Sequence, residues 1–344
     1  MFWLDTALMR VLSMVHGGVH AGLAGATAAL LLVVAPSTHA ADDWPVKPIR
    51  LIVPYAPGGG TDITARMVAQ PLAEKLGQPV VIDHKPGAGT MLGTELAAKA
   101  PADGYTLLLA AAPHVINPAL FKQAVKQIKY DALRDFTPVT MAIAFPYVIT
   151  IHPSLPPQSI RELIAYAKAN PGKLTYGSSG IGSTNHLAGE LFSRMAGIEL
   201  THVPYKGGGP ALSDALGGHV AMLFGTVLET LPQVRNGKLR GLAVSSGTRA
   251  AIAPEIPAVA ESGLPGYDVS GWYAFLAPAG TPRPIVAKLN EEITRILATP
   301  AVRERMLSLG AEPRPTTPER SLEFISAELA RWDKLIKAAR ISAE

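Results

Sequence analysis

The chain has 344 residues, of which 48% are hydrophobic and 17% charged, and carries a net charge of +4. That length exceeds one ordinary hydrophobic core and that balance belongs to a folded chain, so two domains are expected and wholesale disorder is excluded. The charge excess is mild and holds no long basic run, which excludes a nucleic-acid footprint; the absence of cysteine excludes a disulfide framework, a thiolate metal site and a thiol nucleophile.

The first segment with a readable task is the N-terminus. An apolar stretch over residues 23–35 is followed by Pro36-Ser37-Thr38-His39-Ala40 and then by Ala41-Asp42-Asp43, with Arg10 ahead of it. The stretch is the length of a secretory leader core and too short to span a bilayer, and the small residues predict cleavage after Ala40. Residues 1–40 are therefore expected to be a signal peptide, and the mature chain to be soluble.

A strand pattern at 49–53 runs into Gly58-Gly59-Gly60 and a helix over 61–76, with Asp62 in its first turn. The cycle repeats as a strand at 80–82, a Pro86-Gly87-Ala88-Gly89 loop, a helix over 91–100 and a strand at 106–110. A second series has extended stretches at 145–151, 173–178, 199–203, 220–224 and 239–245, with helices over 159–169, 183–196 and about 228–235. After a proline-punctuated connection come a strand over 269–277 and amphipathic helices over 284–298 and 317–339. Short apolar strands alternating with helices predict an α/β fold with parallel sheet. The order predicts one lobe from 42–145 and 269–344 and a second from 146–268, with a cleft between them.

Two segments have the makings of an anion site. Val53-Pro54-Tyr55-Ala56-Pro57-Gly58-Gly59-Gly60-Thr61-Asp62 is a strand, a glycine loop and a helix start, so backbone N–H groups stand open where glycine allows close approach. Tyr176-Gly177-Ser178-Ser179-Gly180-Ile181-Gly182-Ser183-Thr184 repeats the plan, and there Ser183 or Thr184 either caps the helix or donates to a carboxylate. Both lie at the C-terminal ends of strands, where open α/β sheets bind ligands, so the pair could clamp the two ends of a dicarboxylate. The loops at Ala112-Pro113-His114, at Lys206-Gly207 and at Gly225-Thr226 could line the same cleft, although a solvated Lys206 and a backbone-bonded His114 are the plain alternatives.

Enzymatic patterns are missing. The glycines after position 58 lack the third glycine of a dinucleotide fingerprint and the Lys-Ser/Thr of a P-loop, and Gly177-Ser178-Ser179-Gly180 lacks nucleophile-elbow spacing. The histidines show no metal-ligand spacing. No catalytic residue, metal or cofactor is expected.

With those residues in view, the chain resembles the Bug family, the extracytoplasmic solute receptors of tripartite tricarboxylate transporters. The matching stretches are Trp44-Pro45, Ile52 through Asp62, Asp83-His84-Lys85-Pro86-Gly87-Ala88-Gly89, Pro101-Ala102-Asp103-Gly104-Tyr105-Thr106, Tyr176-Gly177-Ser178, Val203-Pro204-Tyr205-Lys206-Gly207, Gly263-Leu264-Pro265-Gly266-Tyr267 and Ala277-Pro278-Ala279-Gly280-Thr281-Pro282. The resemblance implies a type II periplasmic-binding-protein fold of two lobes, a monomer that closes on a small carboxylate and delivers it to the transporter's membrane components. The ligand class runs from di- and tricarboxylates to acidic amino acids and aromatic acids. By carry-over, Tyr55, Ala56, Pro57, Gly58 and Gly59 form one wall and Ala112, Pro113 and His114 another, opposed by Ser178, Ser183, Thr184, Lys206, Gly207 and Thr226. The chain departs from the family pattern at Pro113 and at Thr226-Val227-Leu228-Glu229, both in expected specificity loops. A sensory receptor for a membrane signalling partner and, further off, a serine hydrolase are the competing readings.

Overall fold

The computed structural model describes residues 44–121, 128–251 and 253–339; the expected signal peptide lies outside them. Strands β1 (Ile49–Val53), β2 (Val80–His84) and β3 (Thr106–Ala111) run parallel, with helices α1 (Gly60–Leu76) and α2 (Met91–Ala98) as their crossovers. β1 and β3 are apolar and buried almost throughout, as strands covered on both faces must be. A short helix α3 (Pro113–Leu120) follows β3.

Next comes the long strand β4 (Phe136–Ile151), then α4 (Ile160–Ala169), β5 (Thr175–Ser178), α5 (Thr184–Ala196), β6 (Thr201–Pro204), α6 (Gly208–Leu216), β7 (Met222–Thr226), α7 (Val227–Arg235) and β8 (Arg240–Val244). The chain returns through β9 (Ser270–Pro278) and ends with α8 (Arg283–Ala298), α9 (Pro300–Ser308), β10 (Glu312–Pro313) and α10 (Pro318–Ala339). The sheet order is β2-β1-β3-β9-β4-β7-β5-β6, with β8 and β10 also paired to β4.

β4 joins the sheet's two halves. Over Phe136–Pro146 it pairs with β9, over Tyr147–Ile151 with β7 and over Val148–Ile151 with β8. Sequence periodicity predicts only its second half, because Pro138 and Thr140 interrupt the apolar run of the first. The ladder accommodates them with register shifts at Pro138/Thr140 and Met141/Ile143. α6 and α9 were likewise not expected: α6 opens on Gly208-Gly209-Pro210, which reads as loop, and α9 buries only Met306 and so shows no apolar stripe.

The last helix is tied down by a buried acid. Glu328 Oε2 accepts the indole N–H of Trp272 at 3.1 Å and of Trp332 at 3.2 Å, so α10 is fixed to β9 by hydrogen bonds as well as by packing. No helix among the described residues is long and apolar enough to cross a membrane.

Candidate functional site

The glycine loop after β1 is held from behind. Gly58, at φ +88°, donates its N–H to Asp62 Oδ2 at 2.9 Å, and the same carboxylate lies 3.0 Å from Arg66 Nε and 3.1 Å from His84 Nε2. His84 Nδ1 in turn sits 2.9 Å from the Tyr55 carbonyl. Asp62 thus shapes the loop from one side and leaves the other side open.

What meets that open side is the loop after β6. The Ala56 N–H donates to the Lys206 carbonyl at 2.9 Å, and a side chain at Gly209 would strike the Pro57 carbonyl. The two loops therefore touch backbone to backbone, which only glycine permits. Gly207, at φ +155°, is buried against Ala56, whereas the Lys206 side chain is exposed.

At the second helix start the hydroxyls divide their work. Ser183 is the N-cap of α5: its Oγ accepts the His186 N–H at 3.3 Å and donates to the Gly180 carbonyl at 2.5 Å. Thr184 Oγ1 is buried in a cavity wall; the Tyr147 phenol lies close by without reaching hydrogen-bond geometry. Ser178 faces away from the cavity, with Oγ 2.6 Å from His202 Nε2. That His202 ring stacks on His186 and Tyr176, and burial pushes its pKa down to about 3, so it is a poor base at neutral pH. The pair pins the 178–180 turn, with the Gly180 N–H donating to the same hydroxyl at 3.1 Å.

The loop after β3 contributes less than the sequence suggests. His114 Nε2 lies 2.8 Å from the Ala132 carbonyl, its ring packs on Tyr130 and Phe136, and burial depresses its pKa to about 4. It is a neutral core histidine, and Ala111 is the residue of this segment that reaches the cavity.

That cavity has a volume of ≈ 20 Å³, room for about one water. From the first half-sheet it is walled by Tyr55, Gly60, Thr61, Ala111 and Tyr273, and from the second by Tyr147, Ser179, Thr184, Asn185, Gly208, Thr226 and Glu229. Of the expected residues, Tyr55, Thr184 and Thr226 stand in its walls. Gly58, Gly59, Pro57, Ala56 and Gly207 form the loop contact beside it, and Ala112, Pro113, His114, Ser178, Ser183 and Lys206 lie behind or outside it.

Sequence reasoning missed two tyrosines and an acid. Tyr147 comes from β4 and Tyr273 from β9, which pairs with the first part of β4, and burial keeps both phenols and that of Tyr55 protonated, far above their ordinary pKa. Glu229 is only 3% exposed: Oε1 accepts the Thr226 N–H at 3.0 Å, and Oε2 accepts the Gly60 N–H at 2.9 Å from the other half-sheet. Burial pushes its pKa up to about 7 against the lowering effect of those bonds.

Residues 64–341 match the family model described as the tripartite tricarboxylate transporter family receptor. The chain belongs to this family. Protein BugT of Bordetella pertussis is 40% identical to this receptor over 299 residues, covering 86% of this chain and 90% of that protein. Among solved structures, the periplasmic binding protein BugD has 35% identity and a TM-score of 0.83 over 87% of this chain and 99% of its own. A protein of R. palustris with adipate has 37% identity and a TM-score of 0.82, again over 87% of this chain and 99% of its own. The receptor therefore has the two-lobed periplasmic-binding-protein fold, and its family is one of solute-binding proteins rather than enzymes.

Proposed function

We propose that this receptor is exported to the periplasm, binds a small carboxylate in the cavity between its half-sheets and delivers it to the membrane components of a tripartite tricarboxylate transporter. The observation that carries the reading is the buried Thr184 hydroxyl, held in the cavity wall at the start of α5 without a full hydrogen bond. A helix start adds open N–H groups and a favourable dipole to that hydroxyl, a combination suited to an anion. The adipate bound by a relative with 37% identity supports the same class of ligand.

In this reading 42–145 with 269–344 form one lobe, 146–268 form the other, and the chain works as a monomer. The cavity has room for about one water, so in this reading the lobes part to admit a ligand. A thermal-shift screen of carboxylates against their neutral amides on the processed protein tests the proposal. A cognate acid at about 100 times its Kd adds roughly 2.7 kcal/mol of stability, a rise of about 2–4 °C per kcal/mol. A screen in which no carboxylate raises the melting temperature rejects the reading. Mass spectrometry of the periplasmic fraction is expected to find Ala41 at the N-terminus, and loss of uptake of the same acid in a deletion strain tests delivery.

A further inference from the structure

A cleft with two open helix starts would take a carboxylate at each end of its ligand. The two starts are not equivalent. At α1 the place is filled by the protein itself: Glu229 Oε2 accepts the Gly60 N–H at 2.9 Å, while Oε1 is held by the Thr226 N–H at 3.0 Å. Glu229 is also the only acid in the described cavity walls, and those walls contain no lysine, arginine or histidine to offset it. The titratable groups that face it are the phenols of Tyr55, Tyr147 and Tyr273. At α5 there is no such occupant, and the buried Thr184 hydroxyl stands without a full hydrogen bond.

We propose that Glu229 is a specificity-determining residue, and that the receptor takes an acid with one carboxylate, docked at the start of α5, whose far end is uncharged or cationic and donates a hydrogen bond toward Glu229. The inference rests on the carboxylate reading above and narrows it. A second ligand carboxylate would lie within several Å of Glu229 in a site without a balancing cation. Where Glu229 is ionised, above its pKa of about 7, two like charges about 6 Å apart at an effective dielectric of ~20 repel by an amount worth roughly a hundredfold in affinity. An amide or ammonium group at the same place would instead meet a hydrogen-bond acceptor on a buried carboxylate.

The test is calorimetric titration of the processed receptor and of Glu229→Gln at about pH 8, where Glu229 is mostly ionised, with acids of matched length. Succinate is set against succinamate and 4-aminobutyrate, adipate against its monoamide, and terephthalate against 4-carbamoylbenzoate. The parent is expected to bind the monoamide or amino acid at least about tenfold more tightly than the matched dicarboxylate. Glu229→Gln is isosteric and keeps an acceptor oxygen and the α7 helix; it is expected to improve the dicarboxylate and weaken the amino acid by at least about tenfold each. A parent that prefers the dicarboxylate, or a variant with the same preference as the parent, overturns this inference and leaves the carboxylate reading standing. A folded parent that binds none of these acids removes both.

Discussion

Ser245 Oγ accepts the backbone N–H of Tyr147 at 2.8 Å. On its other side the same hydroxyl donates to the Val269 carbonyl at 2.5 Å, so one fully buried serine bonds both segments that pass between the half-sheets. The backbone repeats the stitch, with the Ser245 N–H on the Tyr147 carbonyl at 2.9 Å and the Val269 N–H on the Ser245 carbonyl at 2.8 Å. Ser245→Ala strands a buried N–H and a buried carbonyl. It is expected to destabilise the apo protein by on the order of 1–3 kcal/mol, read by denaturant unfolding. A change under about 0.5 kcal/mol shows that the hydroxyl is not what holds the crossings.

The two hydroxyls at the start of α5 are expected to separate stability from binding. Ser183→Ala removes a cap and lowers apo stability by about 1 kcal/mol with affinity nearly unchanged. Thr184→Ala leaves apo stability within about 0.5 kcal/mol but weakens the carboxylate by roughly 1.5–3 kcal/mol, as loss of a charge-assisted bond does. Paired unfolding and titration experiments check both, and the reverse pattern moves the ligand from Thr184 to Ser183.

The loop contact is expected to limit closure. Gly209 lies in α6, and an added methyl there would meet the Pro57 carbonyl and the Gly58 backbone. Gly209→Ala should fold at least as stably as the parent, since alanine favours the helix by up to about 1 kcal/mol. It should nevertheless lose the decrease in radius of gyration that saturating ligand produces in the parent. Small-angle scattering with and without ligand measures this, and full compaction of the variant would dismiss the loops as the closing surfaces.

Glu229 gives stability a pH signature. Its folded pKa of about 7 lies above the unfolded 4.5, so the native state holds the proton more tightly. The stability linked to this proton is fully present below about 4.5 and is lost as pH rises through about 7. Between those limits the parent should lose on the order of 3 kcal/mol relative to Glu229→Gln. Unfolding both proteins across pH 4–8 isolates this difference from the other carboxylates. Parallel pH profiles for the two would show that Glu229 titrates alike in the folded and unfolded states.

The glycine loops and hydroxyl-bearing helix starts were legible because their chemistry is local: Gly58 needs its positive φ and Ser183 caps the helix that it begins. Glu229 was only half legible. Thr226 followed three residues later by an acid is a capping-box pattern, and that accounts for Oε1. The partner of Oε2, Gly60, is 169 positions away and no local pattern points to it. Ser178 and His202 illustrate the same limit, since the side chain that holds the Ser178 hydroxyl lies 24 positions on, in the neighbouring strand. Tyr147 and Tyr273 read as core aromatics of strands, which they are; only the crossing of β4 and β9 beside the helix starts brings their hydroxyls to the cavity.

β4 remains laddered from Phe136 to Ile151 while it changes partners at Pro146 and Tyr147. A joint of that kind cannot pivot on a single loosened residue, because the residues on both sides of the change are already paired to a neighbouring strand. Opening must be absorbed as extra coil spread along a ribbon, with the register shifts as its softer places. Such a joint behaves as a torsion spring rather than a pin: it stores work when the halves part and returns it when they meet. Its amides should stay protected from solvent exchange in both states, and proteases should find no cleavable strap between the halves.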